Sequence, residues 1–468
     1  MRPRNTVSIL LCGTLATSAS LSAQQAVPVR DLSQPEARTS QHFGNIFGVR
    51  HLRNGGVMVN DGVRRQLVTL DAGFSTRTVV VDSVTEGGQS YGPRASPLIP
   101  YLADSSLFVD GQSLSLLVID PSGKVAHVMS APKPGDLRFL AASAAGVDAL
   151  GNLLYRAPTM VIRNTSAGPV ASGPPQPPDS SAIVRANFET RLVDTVGRVK
   201  IQNGMRANMT QGADGKMNMV MTINPLSTVD EWAVLSDGSI AFVRGHDYHI
   251  DWVKPDGQTF SSPKLPFDWK RLTDEDKMAL IDSARAAQEK QAADAKAAAA
   301  NPGAPRVAGA DGGGARMEMT VIMAAGSSMG GGGGASIGGG GGGGAPMSFS
   351  TGPGGPPGAT QISQKIEFVP IKEIPDYYPA IRQGATKADL DGNLWILTTT
   401  SAQSKAGELI YDVVNNKGEL FQRVRMPAGR SIAGFGHKGI VYLMYRDGTN
   451  GWLLERTKVL NSGRAAEN

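Results

Sequence analysis

"ADLDGNLWIL", residues 388–397, opens on acids and small residues, turns at Asp391-Gly392 and then runs apolar through Leu394, Trp395, Ile396 and Leu397. Aligning its turn glycine, Gly392, with other sites where a turn precedes an apolar run brings out five more copies. They are Gly55 in "RNGGVMVN", Ser105 in "ADSSLFVD", Gly151 in "ALGNLLYR", Gly238 in "SDGSIAFV" and Gly439 in "GHKGIVYL". Two places after the turn stand Val57, Leu107, Leu153, Ile240, Leu394 and Val441. Four places after stand Val59, Val109, Tyr155, Phe242, Ile396 and Leu443. Both positions are apolar in all six copies, a period of two that places them on one face of a strand. Trp395 and its counterparts between them (Met58, Phe108, Leu154, Ala241 and Tyr442) are apolar or aromatic too, so both faces of this strand are expected to be buried.

A second strand-and-turn signal follows most copies, as in "SLLVIDPSGKVAHVM" and "LIYDVVNNKGELFQRVRMP", with Gly, Asn, Asp and Pro supplying the turn angles. Each unit therefore reads as an inner strand, a turn, two middle strands, a second turn and an outer strand. Four strands in a unit of about 47–50 residues is the signature of a β-propeller blade. The sixth unit runs out after three strands near Asn461, and a propeller closes to remove its edges. The early segment "AVPVRDL", residues 26–32, is expected to supply the missing outer strand. The fold class is thus all-β: a six-bladed propeller closed by N- and C-terminal strands, with a helical and Gly-rich disordered insertion.

With its "D-x-x-G-N-L-W" phrase at Asp389–Trp395, the chain resembles the six-bladed NHL and gluconolactonase-like propellers. The resemblance implies the fold. That group includes lactonases, lyases and binding scaffolds, and its metal-dependent lactonases place a Glu, an Asn and an Asp around the central channel. No residues of this sequence match those ligands one by one, so the activity is not carried over.

The 468 residues are 41% apolar and 19% charged, enough for a real core. The formal net charge of +5 is small and spread out, which argues against nucleic acid. Arg2 and Arg4, the apolar run Val7–Leu15 and the small residues Ser18–Ala23 read as a signal peptide, residues 1–23, that directs the chain to the periplasm or outside the cell. Cys12, the only cysteine, lies in it, so the mature chain is expected to carry neither disulfides nor a catalytic thiol. No later segment is long and apolar enough to span a membrane.

The steps between turns are 50, 46, 87, 154 and 47 residues, so two blades carry insertions. The first insertion holds a Pro-rich loop, "TSAGPVASGPPQPPDSS", and the methionines 205, 209, 217, 219 and 221. The larger, residues 267–361, follows blades one to four (residues 24–266) and precedes blades five and six (residues 362–461). It begins as a helix over about 273–300, with Thr273 as N-cap, Asp274, Glu275 and Asp276 in the first turn, and a short apolar contact through Met278 and Ile281, with Leu280 beside them. Its Gly-rich remainder, 302–361, buries too little to fold and is expected to be disordered, like the tail 462–468.

Polar residues beside the first turn of each unit are the candidates for the channel mouth: Arg50, His51, Tyr101, Asp148, Glu231, Arg382 and Lys387. His246 and His249, three apart, point to opposite faces if they lie on a strand, and bind one metal only if the segment is a loop. There is no G-x-S-x-G nucleophile elbow. The clustered methionines carry thioethers suited to Cu(I), or serve as adaptable core filling. No cofactor and no resident metal are predicted. The expectation is a monomeric binding propeller whose funnel face takes a protein, peptide or glycan. The alternative is a lactonase-like hydrolase or lyase using a divalent cation such as calcium.

Overall fold

The structure, a computed structural model, describes residues 27–83, 90–92, 96–110, 113–142, 145–158, 178–201, 205–211, 217–300, 362–399 and 409–460. The signal-peptide, Gly-rich and tail segments read from the sequence lie outside these residues. Among them the strands form seven sheets, six of which are propeller blades. Blade one is Ile46–His51, Val57–Asp61, Gln66–Leu70 and Arg77–Val81. Blade two is Leu98–Pro100, Ser106–Asp110, Ser115–Ile119 and Val125–Met129. Blade three is Ala145–Val147, Leu153–Arg156, Ser180–Ala186 and Val193–Lys200. Blade four is Glu231–Val234, Ile240–Arg244, His249–Val253 and Thr259–Ser261. Blade five contributes Thr386–Ala388, Leu394–Leu397, Leu409–Val414 and Leu420–Met426, and blade six Ser431–Phe435, Ile440–Asp447 and Gly451–Lys458.

Closure is visible in the core. Six apolar clusters each join two consecutive blades, the last uniting Tyr442 and Met444 of blade six with Val57 and Val59 of blade one. From blade six through blade one to blade five, the first strand of each blade lies against the first strand of the next. These first strands therefore line the channel, and the strand that carries the repeated phrase is second, one step out. The sequence reading placed it innermost. The reason for the shift is burial: a second strand is covered on both faces by its neighbours, so its apolar signal is strongest. Val57–Asp61 is buried at every position, whereas Ala145–Val147 and Thr386–Ala388, on the channel, are half-buried throughout.

Copy two is displaced by one residue from its expected alignment. In the other copies the turn glycine takes a positive φ, between 74° and 85° at Gly55, Gly151, Gly238, Gly392 and Gly439. In blade two the residue at that place is Asp104, with φ 64°, not Ser105, and Tyr101 N–H donates to Ser105 O just as Asp148 N–H donates to Asn152 O. Asp is one of the few residues with a side chain that tolerates this conformation. Because side chains alternate, the slip exchanges faces. Phe108 packs with Met58 toward blade one, and Leu107 and Val109 turn toward blade three.

The N-terminal closure also differs in place. Val29–Arg30 adds to blade five as a fifth strand, parallel to Leu420–Met426. The outer strand of blade six is Ala37–Arg38, antiparallel to Gly451–Lys458. Around it, Ser33, Glu36, Thr39 and Phe43 donate backbone hydrogen bonds to Lys458, Arg456, Leu454 and Trp452, so a longer irregular segment covers the edge. The alternating "AVPVRDL" is the more strand-like, but it reaches blade six only at its end, where Leu32 bridges Val459 and Asp31 O accepts from Leu460 N–H; the rest of that edge is met by the less patterned residues after it. Glu455, fully buried in the middle of this seam, is held by Arg38 at 2.6 Å and Arg430 at 3.1 Å.

The seventh sheet stands outside the ring. Met205–Gln211 and Met217–Ile223 form a hairpin, and Ile362–Phe368 pairs in parallel with the second of these strands. Blade five thus begins at Thr386, not at 362. The helix Asp274–Ala300 has the expected cap: Asp276 N–H donates to Thr273 Oγ1 and Thr273 N–H to Asp276 Oδ2. Ile281 packs with Leu226, Leu272, Val369 and Ile374 at the end of this sheet. Among the described residues no helix is long and apolar enough to cross a membrane.

Candidate functional site

The channel has two ends, because each first strand begins at one mouth and turns at the other. The seven candidates are divided between them. Arg50, His51, Tyr101 and Asp148 stand at the turn end; Glu231 opens its strand at the opposite end; Arg382 lies on the segment leading into Thr386–Ala388, which contains Lys387.

At the turn end most of the polar capacity is spent on the fold. The Arg50 guanidinium pairs with Asp104 at 2.9 Å, and Asp104 also accepts from Arg53 N–H, which ties blade one to the turn of blade two. His51 Nδ1 lies 2.7 Å from the Tyr442 hydroxyl, with the His437 ring edge-on at 5.7 Å. Burial and the neighbouring His437 and Arg50 hold the His51 pKa below its ordinary value. Tyr101 meets Phe188 edge-on, and burial raises its pKa. The Asp148 carboxylate accepts from Leu150 N–H, Asn152 N–H and Asn152 Nδ2. Asp389, its counterpart in blade five, does the same with Asp391 N–H, Asn393 N–H and Asn393 Nδ2. The D-x-x-G-N phrase is therefore a self-stapled turn, in which the Asp oxygens satisfy the backbone that the glycine bends.

The other three candidates differ: Glu231 and Arg382 stand toward the opposite end, and Lys387 lies two residues before its turn, level with Arg50 in blade one. Glu231 is buried, and its carboxylate accepts from Gly384 N–H at 2.8 Å and lies 3.4 Å from Thr386 Oγ1. Burial raises its pKa from 4.5 to about 7, against the opposing pull of the Gly384 hydrogen bond and the Arg156 charge. Burial lowers Arg382 to about 10, opposed by Tyr378. Lys387 is lowered to about 8 by burial alone. Its residue is half-accessible to solvent although protein surrounds it, as expected for a side chain on the wall of a narrow channel. Among the described residues no carboxylate pairs with it. Arg156, Tyr378 and Thr386 were not singled out in the sequence; Thr386 lies 155 residues from the Glu231 it meets, and no local spacing signals that.

The Glu231 shift gives a pH signature. Between pH 4.5 and about 7 the folded chain keeps a proton that the unfolded chain has released, so this group's contribution to stability falls as pH rises through that window. Glu231→Gln should flatten that slope in denaturant melts taken from pH 4 to 8. An unchanged slope would place the titrating group elsewhere.

His249 is clasped by Asp247 at 2.6 Å and Asp251 at 3.3 Å on the outer part of blade four. Among the described residues no group of three or more His, Cys, Asp or Glu is placed to hold a metal ion. They thus supply no such ligand set for the divalent cation of the lactonase-like reading, and no step is derived through one.

The fold and the channel define a six-bladed β-propeller. No family model matches the chain, and no curated protein matches it in sequence. Among solved structures it is similar to a member of the duf4221 family from Bacteroides vulgatus, at 9% identity over 92% of this chain and 98% of that one, with a TM-score of 0.40. It is similar also to virginiamycin B lyase from Staphylococcus aureus, at 9% identity over 91% and 99% of the chains, TM-score 0.35. A gluconolactonase from Xanthomonas campestris matches at 11% identity over 53% of this chain and 88% of its own, TM-score 0.23. These likenesses are of fold and carry no activity.

Proposed function

We propose that the protein is an exported binding propeller, periplasmic or secreted, that recognises an acidic group on a protein, peptide or glycan through its channel. The observation that carries this reading is Lys387: an amine on a channel-lining strand, depressed to about 8 by burial and unpaired with any carboxylate among the described residues. A buried ammonium without a partner is costly, and an incoming carboxylate or sulfate would relieve that cost. Arg382 adds a second cation on the segment entering the same strand.

The test is titration with an acidic peptide of oligoglutamate type beside its glutamine counterpart. Only the acidic peptide should bind, with an affinity that falls as salt rises. Lys387→Met should weaken it by about tenfold or more, equivalent to roughly 1.4 kcal/mol. Because an anion raises the pKa of Lys387, binding at pH 8–9 should take up protons, an effect that fades toward pH 6. Equal binding of both peptides, or full affinity in Lys387→Met, would refute the reading.

A second reading is supported by Glu231. A buried carboxylic acid near neutral pKa is suited to proton transfer, as a hydrolase or lyase of lactone-like substrates requires. Turnover of a simple lactone by the purified protein, lost in Glu231→Gln, would favour the enzyme over the binding module.

A further inference from the structure

The two ends of the long insertion are zipped together before the chain enters blade five. Leu272 N–H donates to Asp376 O at 2.8 Å and Tyr378 N–H to Lys270 O at 3.0 Å, with Arg271 bridged to Tyr377 between them. Leu272 and Ile374 anchor this short ribbon in the buried cluster that holds Ile281 of the helix, and Lys277 pairs with Asp376 at 2.6 Å. From Tyr378 the chain passes Pro379 and Ala380, whose carbonyls accept from Thr399 beyond the second strand of blade five, and reaches Arg382. The ribbon therefore lies on the side of the ring opposite the turns, where the chain runs toward the channel.

The bridge sorts the ribbon's side chains. Arg271 and Tyr377 are a non-hydrogen-bonded pair, the kind in which opposed side chains come closest, and Trp269, two residues before Arg271, shares their face. The Trp269 and Tyr377 rings meet edge-on, 6.4 Å between centroids at 89°. Such a contact covers the face of only one of the two rings. Phe267, packed against the cluster between blades four and five, backs Trp269 edge-on at 4.8 Å and holds it in place. Both rings are nevertheless open to solvent, Trp269 by 38% and Tyr377 by 45%. Arg271 is exposed as well, and among the described residues no carboxylate forms an ion pair with it.

We propose that this face binds a glycan of uronic-acid type, with Trp269 and Tyr377 against a sugar ring and Arg271 on its carboxylate. A pyranose presents a flat patch of C–H groups, whose partial positive charge is attracted to the face of an aromatic ring. A uronate adds a carboxylate at the rim of that ring, matched to the fork of a guanidinium. A peptide fits the face less well, because a single bridge is too short an edge to hold a strand. The inference deepens the channel reading: it rests on that reading for the acidic ligand and selects the glycan among its three classes. Further uronates of the same chain extend toward Arg382.

The experiment is calorimetric titration of the full chain with oligogalacturonate, its neutral methyl ester, and oligoglutamate of equal charge. Oligogalacturonate should bind most tightly and the ester more weakly. Trp269→Ala with Tyr377→Ala should weaken oligogalacturonate about tenfold or more and leave oligoglutamate unchanged. Trp269→Phe with Tyr377→Phe keeps both ring faces and should retain binding, which separates lost stacking from lost folding. Arg271→Met should narrow the preference for the acid over the ester. No binding of oligogalacturonate, equal loss of both acidic ligands in the Ala pair, or loss of neither would overturn the proposal. Tighter binding of oligoglutamate would overturn it in favour of a peptide. Lys387→Met tells its failure from that of the channel reading. Full affinity for both ligands in that variant, beside loss of oligogalacturonate in the Ala pair, would sink the channel reading and leave the ribbon site standing.

Discussion

Removal of residues 33–43 is expected to abolish the single cooperative melting transition. These residues are the outer edge of blade six: Ala37–Arg38 completes its sheet, and the flanking backbone hydrogen bonds run from Ser33 to Phe43. Without them Gly451–Lys458, eight residues long, becomes a bare edge strand, the kind that pairs with other chains. Glu455 loses Arg38, one of the two cations that hold its buried carboxylate. Phe43, part of the cluster joining blades six and one, goes too. The predicted outcome is aggregation or broad, non-cooperative unfolding by circular dichroism. Removing residues 27–31 provides the contrast. It strips the short parallel strand from blade five and the hydrogen bonds of Arg30 and Asp31 to Leu460, leaves the Ser33–Phe43 edge of blade six in place, and should lower the midpoint while preserving one transition. Equal damage from the two deletions would show that the latch has been misplaced.

Trp395→Ala should cost about 3–5 kcal/mol, the range for a large aromatic removed from a packed core. Trp395 is 2% exposed, lies 5.0 Å ring-to-ring from Phe435 of blade six, and packs with Tyr411, Val413, Val441 and Leu443 at the blade five–six junction. Its Nε1 donates to Asp389 Oδ2 at 2.8 Å, so the same side chain anchors the turn that precedes it. Trp395→Phe separates these contributions. It keeps most of the packing and forfeits the hydrogen bond, for an expected further cost of about 0.5–1.5 kcal/mol from the bond itself. Both are read in urea melts. Iodide quenching should be measured with Trp269, 38% exposed, replaced by Phe, so that the exposed ring does not mask a protected one. Strong quenching of Trp395 with little loss of stability would make it a surface residue.

The second strands were legible because they are the positions where both faces are buried, and a run such as Leu394–Leu397 carries that in four consecutive residues. The one-residue slip in blade two was not legible, because "ADSS" has no glycine to mark the residue with positive φ, and Asp104 takes that role. The latch was placed one segment too early for a related reason. Two ladder residues with irregular flanks have no periodicity, whereas "AVPVRDL" alternates. The outer sheet was hidden by distance, since Met217 pairs with Ile362 across the whole helical and Gly-rich insertion. Of the candidate site, the repeat locates Glu231 and Lys387 just before the repeated strand, but that their own strands are the innermost follows only from the contacts between blades. The spending of Asp148 on its own turn did not, although "DALGN" and "DLDGN" share the pattern that reveals it once one copy is seen folded.

The reading of the channel depends most on the state of one amine. With lysines labelled by reductive 13C-methylation and Lys387 assigned through Lys387→Met, its pKa can be followed by NMR with and without the acidic peptide. Lys387 should titrate near 8 in the free protein, and its value should rise when the peptide binds while the other lysines stay in place. A value near the ordinary ~10.4 that the peptide leaves unmoved would contradict it.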